Sequence, residues 1–280
     1  MIAAVHDWWD FLRVVAVLNV AVWTVSAALL ARHRKLFSVT GYRHRLLSLW
    51  LSAGYVAGCA FRSFLPRIDL ERICLVESSL SSMVVGRSVA TVAELCFIAQ
   101  CALLLRYTGS DAGNRFTVTV SRLMVPLIAV AETASWYAIL STNYLGHFVE
   151  NSIWTLCGAL LLASLASLWP HGDRKQHRFL AAMMVFGVGY IAFMVSIDLP
   201  MYWSRWSVER AAGASYLSLA HGLADASRPC IVSFGWRIWR EEIPWMTLYF
   251  TFAVWLSILL PHMADWIDRS HAKHAASGQP

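Results

Sequence analysis

The chain has 280 residues, of which 58% are hydrophobic and only 14% charged, a balance that excludes an ordinary soluble domain, where about a quarter of residues are charged. The formal net charge of +6 would point to nucleic acid in a soluble protein. Here most basic residues flank apolar runs, where they set orientation and meet anionic lipid headgroups, so no nucleic-acid partner is expected.

Residues 1–10 carry acids and the pair Trp8-Trp9, without a basic region or a small-residue cleavage motif, so the first apolar run reads as a retained anchor. Seven runs approach the roughly 20 residues a helix needs to cross the hydrocarbon core. They cover residues 11–31, 46–64, 83–105, 118–140, 148–169, 179–197 and 245–261. No repeat is visible among them.

The loops between these runs differ in charge. Arg32, Arg34, Lys35, Arg43 and Arg45 follow the first, Arg106 and Arg115 the third, with Arg122 just inside the next, and Arg174, Lys175 and Arg178 the fifth. Basic loops stay in the cytoplasm. Residues 141–147 contain no Lys or Arg, and after the second run Arg67 and Arg72 are offset by Asp69, Glu71 and Glu77, which places both loops outside. The tail, 264–280, returns to the cytoplasm with Arg269 and Lys273. The expected fold is an all-α, polytopic seven-transmembrane-helix bundle in the plasma (inner) membrane, N-terminus outside and C-terminus cytoplasmic.

Residues 198–244 break the rhythm, with five arginines, five acids and an uncharged run at 211–224. Trp203, Trp206, Trp236 and Trp239 suit an interfacial belt, so the segment reads as amphipathic or re-entrant helices on the outer surface, with a hidden pair of extra spans as the rival.

Ionisable residues inside the spans gather in the outer half. Arg13 and Arg62 lie near outer helix ends. Arg87 and Glu94, seven apart with Thr91 between, share one face of the third helix, and Glu132, with Ser135 and Trp136 on its face, lies near mid-depth of the fourth. His147, Glu150 and Asn151 open the fifth, with Trp154 and Cys157 continuing its face, and Asp198 closes the sixth ahead of Tyr202. A charge in hydrocarbon costs at least a few kcal/mol, so these groups should face one another. A buried acid without a cationic partner is pushed toward neutrality and becomes a proton donor.

The expected site is therefore an outward-facing chamber with Glu94 and Glu132 as acid and base. Arg62 and Arg87 would hold an anionic headgroup, Trp136 and Trp154 would line the apolar part, and His147, Glu150, Asn151, Asp198 and Tyr202 would form the mouth. The substrate class is a lipid or isoprenoid. A proton-coupled carrier is the alternative, opposed by the missing repeat; a receptor or assembly factor presenting 198–244 is a third. Structural Arg/Glu glue is the plain reading of any single pair.

Other patterns carry less. Ser218, His221 and Asp225 share a helical face, but one straight helix holds them parallel and does not chain them as a triad, so Asp225 bonding His221 is expected. His271 and His274 form an HxxH in a polar tail without further ligands, so no bound metal is expected, and no cofactor either. The six cysteines lack a CxxC; Cys59, Cys96, Cys101 and Cys157 read as core, while Cys74 and Cys230 are candidates for a disulfide outside. Seven spans also describe rhodopsin-like receptors, yet the last span has no lysine for retinal, and Leu105-Arg106-Tyr107 lacks the acid those receptors carry there.

The orientation has a direct test. Alkaline phosphatase fused after Val76 is expected to be active and a green fluorescent protein at the C-terminus to fluoresce; the reverse pattern would overturn the assignment.

Overall fold

A computed structural model describes residues 2–171 and 174–263. The tail bearing Arg269, His271, Lys273 and His274 lies outside the described residues. The protein is 84% helical and is an all-α integral membrane protein.

The main helices are α1 (Ile2–Arg32), α2 (Val39–Phe64), α3 (Met83–Asp111), α4 (Arg115–Ser141), α5 (Tyr144–Leu168) and α6 (Arg174–Phe193). A π-helical segment, Met194–Asp198, joins α6 to α7 (Leu199–Ala211). After α8 (Leu219–Ala226) and the short α9 (Trp236–Trp239), a second π segment, Tyr249–Ala253, joins α10 (Ile243–Leu248) to α11 (Val254–Met263). Helix starts follow side-chain caps that satisfy otherwise orphaned N–H groups: Ser38 accepts from Gly41, Ser82 from Val85, Asn114 from Thr117 and Asn143 from Leu145.

Among the described residues, six helical stretches are long and apolar enough to cross a bilayer: Ala3–Arg32, Met83–Asp111, Arg115–Ser141, Tyr144–Leu168, His177–Ala211 and Ile243–Met263. The helix α2 has spanning length, 26 residues, but is not among them. Its sequence carries Arg43, His44, Arg45 and Arg62 alongside Ser48, Ser52 and Ser63, and it lies packed between α1, α3 and α11.

Two differences from the sequence reading concern helix ends. The hydropathy of the sixth run stops at Ile197, yet the helix continues to Ala211; the widened π turn lies directly before Pro200, the one residue of this stretch that cannot donate to the backbone ladder. No helix of spanning length lies between Ala211 and Ile243, which leaves the rival extra pair of spans without a place. Arg45, read as a loop residue, belongs to α2 and is fully buried, its Nη1 donating to the Pro261 carbonyl at 3.1 Å. Its helix begins seven residues before the apolar run does, carrying the guanidinium between α2 and α11.

A small sheet marks one end of the bundle, hereafter the sheet end. β1 (Arg67–Ile68) pairs antiparallel with β2 (Ile73–Cys74), which pairs in parallel with β3 (Ile231–Val232). Arg72, in the turn between β1 and β2, has φ 57°, a left-handed conformation costly for a side chain with a Cβ. It is held there by bonds of 2.8 Å each to the carboxylate of Asp225 and to the carbonyls of Asp69 and Ile139. Asp225 is thereby engaged, and His221 instead has its Nδ1 3.0 Å from Ser218 Oγ, the N-cap of α8. The expected Asp225–His221 bond is not formed, and the three residues make no triad.

Cys74 and Cys230 form a disulfide across 156 residues, tying β2 to the start of β3. Cys59, Cys96, Cys101 and Cys157 are free thiols. The unreduced, denatured chain is expected to take up four maleimide labels and the reduced chain six. Cys74→Ala with Cys230→Ala is expected to cost about 2 to 5 kcal/mol of stability, read as a lower unfolding midpoint.

Candidate functional site

Glu94, Glu132 and Glu150 come from three different helices, α3, α4 and α5, and meet at one guanidinium. Arg87 Nη2 donates to Glu132 Oε2 at 2.5 Å and to Glu94 Oε2 at 3.2 Å, and lies 3.3 Å from Glu150 Oε1. All four side chains are buried. The helical spacing explains the convergence. Arg87 and Glu94 are two turns apart on one face of α3, about 10 Å by rise, so a long arginine side chain reaches down to its own helix's acid while α4 and α5 supply the others.

The glutamates have distinct surroundings. Glu132 Oε2 also accepts from Thr91 Oγ1 at 2.5 Å, and Thr91 Oγ1 accepts from Trp136 Nε1 at 3.1 Å, so Trp136 positions the acid through a hydroxyl. Glu132 Oε1 and Arg87 Nε are buried without a hydrogen-bond partner. Glu150 Oε2 sits 2.6 Å from His147 Nδ1. The His147 ring lies 5.3 Å from that of Tyr202, and Asp198, in the first π segment, lies in the electrostatic field of Glu150 and His147. The charge of Glu94 acts on Tyr55, Cys59 and Tyr249; Tyr249 opens the second π segment. Both π segments thus border the site, where such widened turns are often found at functional positions.

Most expected residues fall in this neighbourhood, and some do not. Arg62 lies above it, its guanidinium 5.7 Å from the Trp245 ring and 5.9 Å from that of Phe250. Asn151 offers its carbonyl to Thr155, and its side chain bonds to none of these groups. Trp154 packs with the apolar cluster of Ile98, Cys101 and Met124. Arg13 is exposed, paired with Asp10 and stacked on Trp9. Arg87, expected to hold a headgroup, is already shared by three carboxylates.

Two polar groupings were not anticipated. At the sheet end, Glu71 Oε1 accepts from Tyr144 at 2.8 Å and from Arg205 at 3.3 Å, and Arg205 also bonds Glu241 at 2.7 Å. Deeper, Gln100 donates to Ser48 and to the Ser257 carbonyl, and Ser257 Oγ donates to Gln100 Oε1 at 2.7 Å. Gln100 was legible as a polar residue inside an apolar run; Tyr55 and Tyr249 carry no such mark, since span tyrosines read equally well as packing.

One oxygen from each of the three glutamates lies within 4.8 Å of the others, a spacing that resembles a hard-cation ligand set. A cation already occupies the position, because Arg87 Nη2 touches all three. The arrangement is a buried ion-pair cluster with more acid than base.

No protein-family model, curated protein or solved structure matches the chain. What the fold and geometry define is an integral membrane protein with a buried polar site built from Arg87 and three glutamates.

Removing the shared guanidinium should leave three acids in an apolar interior without it. Arg87→Met is expected to cost about 3 to 5 kcal/mol, read as thermal unfolding in detergent. Adding Glu132→Gln should recover part of that loss; strictly additive effects in the double-mutant cycle would show that the two side chains do not interact.

Proposed function

We propose that the cluster is an intramembrane acid–base site that binds, and exchanges a proton with, a lipid or isoprenoid. The observation that carries this reading is the mismatch at its centre: three buried carboxylates share one guanidinium, and Glu132 Oε1 has no partner. Three carboxylates against one guanidinium leave excess negative charge that hydrocarbon does not tolerate, so charge balance calls for bound protons within the cluster and its His147 neighbour. A proton held next to a free carboxylate oxygen is what general acid–base chemistry needs. Glu132 and Glu94 are the acid and base of this reading. Thr91 and Trp136 orient Glu132, and His147 links Glu150 to the sheet end.

An apolar hollow on the flank of the elements that carry His147 and Asp198 supports an amphiphilic ligand. An open groove of about 400 Å³ is lined by Phe148, Val195, Leu199, Pro200 and Trp203. Phe148, Leu199 and Trp203 directly follow His147, Asp198 and Tyr202 in sequence, so the elements presenting polar groups inward present the groove on their flank. An acyl or isoprenoid chain lying there would bring its headgroup toward the glutamates. In this reading α2 is a seventh span, the sheet end faces outside and the membrane is the plasma (inner) membrane.

A proton-coupled carrier remains the second reading, favoured by the π segments that interrupt the helical ladder of two spanning stretches beside the site.

Infrared spectroscopy tests the acid directly. Purified protein at neutral pH is expected to show a protonated-carboxyl stretch that disappears in a folded Glu132→Gln or Glu94→Gln variant and shifts when lipid extract is added. Absence of any such band in the unaltered protein would remove the reading, and a band insensitive to lipid would favour the carrier.

A further inference from the structure

The polar interior is electrically layered, and the layer nearest the sheet has the opposite imbalance to the glutamate cluster. Arg67, in β1, is 0% exposed along its side chain, and its Nε donates to Asp69 Oδ1 at 3.1 Å. Its two terminal nitrogens, Nη1 and Nη2, are buried without a partner. The guanidinium lies flat on the backbone of Gly86, where an added Cβ would collide with it, one residue before Arg87. Arg62, at the last turn of α2, is 7% exposed, with the rings of Trp245 and Phe250 5.7 Å and 5.9 Å from its guanidinium carbon. Among the described residues no carboxylate lies within ion-pair distance of it. Arg62, in the last turn of α2, precedes Arg67 by only five residues, and the charges of both act on Asp69, which Arg67 contacts directly. Arg87 is committed to three glutamates and Arg72 to Asp225. Two guanidiniums, Arg62 and Arg67, therefore act on a single carboxylate, which only Arg67 contacts.

We propose that Arg62 and Arg67 form a subsite for an oxyanion, a phosphoryl or carboxylate headgroup, at the sheet end of the chamber above the glutamate cluster. Guanidinium donors lie in the plane of the group, so the face-on contact of Arg67 with Gly86 leaves its terminal N–H edge for paired contacts with oxygen. Buried donors left unmade cost free energy that an anion would recover. The electrostatics agree with this placement. Burial pushes the Arg67 guanidinium down to about 10 in spite of Asp69, with Arg62 and Arg87 adding to the fall. For Asp69, burial opposes ionisation, but Arg67, Arg62, Arg87 and His147 outweigh it and hold the carboxyl below its usual range. An oxyanion would not settle among three glutamates; beside Gly86, near the start of α3, it meets Arg67 with two unpartnered nitrogens. The subsite rests on the reading of the chamber as one that takes an amphiphile, and it narrows that amphiphile to an anionic one.

The test uses the full-length protein, delipidated in a neutral detergent, with binding read by native mass spectrometry. The probes are phosphatidic acid, a fatty acid, phosphatidylcholine with the same chains, and inorganic phosphate. Phosphatidic acid and the fatty acid are expected to bind about tenfold or more tighter than phosphatidylcholine. Arg62→Gln should remove that preference, Arg62→Lys should retain part of it, and Arg13→Gln, at an exposed pair, should leave it unchanged. Competition by inorganic phosphate would identify a free oxyanion as a sufficient ligand, whereas lipid binding without competition would show that the headgroup must arrive with its chain; both support the subsite. Equal affinity for phosphatidylcholine, or a folded Arg62→Gln that keeps the preference, would overturn it. Anion selectivity without a protonated-carboxyl band would keep the subsite and remove the acid–base reading; the band without selectivity would do the reverse.

Discussion

The cost of placing charge in hydrocarbon governs the centre of this protein. Arg87 cannot lose its proton, so it must be paired, and a glutamate on its own helix is not enough to satisfy a fork of donors. The contacts of Nη2 with Glu94, Glu132 and Glu150 tie α3, α4 and α5 together at one point. Hydrophobic association between helices is weak where lipid is as apolar as the helix surface, and polar contacts between helices carry a larger share of the specificity. The same contacts leave an excess of acid at one depth and an excess of base near the sheet.

The sheet end holds this arrangement in place. The disulfide between Cys74 and Cys230 and the left-handed Arg72, with its bonds to Asp225 and Ile139, fasten the loop after α2 to α4 and α8. That loop carries Arg67 and Asp69. Its rigidity keeps Arg67 lying on Gly86, immediately above Arg87. On the other flank, π segments at Met194–Asp198 and Tyr249–Ala253 widen two helices where Asp198 and Tyr249 approach the glutamates.

Much of the site was legible because intramembrane charges are few and expensive. Glu94, Glu132, Glu150, Arg87 and the supporting Trp136 and His147 stand out against apolar runs, and helical spacing alone puts Arg87 and Glu94 on one face. Partner choice was not legible. Asp225 looks equally able to bond His221 or a distant arginine, and only the fold brings Arg72, 153 residues away, to it. Asn151 and Trp154 share a helix with Glu150, but a rotation of that helix decides who faces the cluster, and here Trp154 turns to the apolar core. Helix length was also misjudged, since hydropathy ends at Ile197 while the backbone ladder runs on to Ala211.

What the sequence determined by itself was a multi-pass membrane protein of high helical content and the acids and arginines that interrupt its apolar runs, because hydropathy and helical spacing are local properties of the chain. What the tertiary structure decided was which of those charges meet. Pairing depends on the azimuth of each helix and on where loops return, and neither is written in any short stretch of residues. Arg87 takes three glutamates and Arg67 is left with one aspartate because helices α3, α4 and α5 close around the first, while the second lies against a glycine that offers it no acceptor.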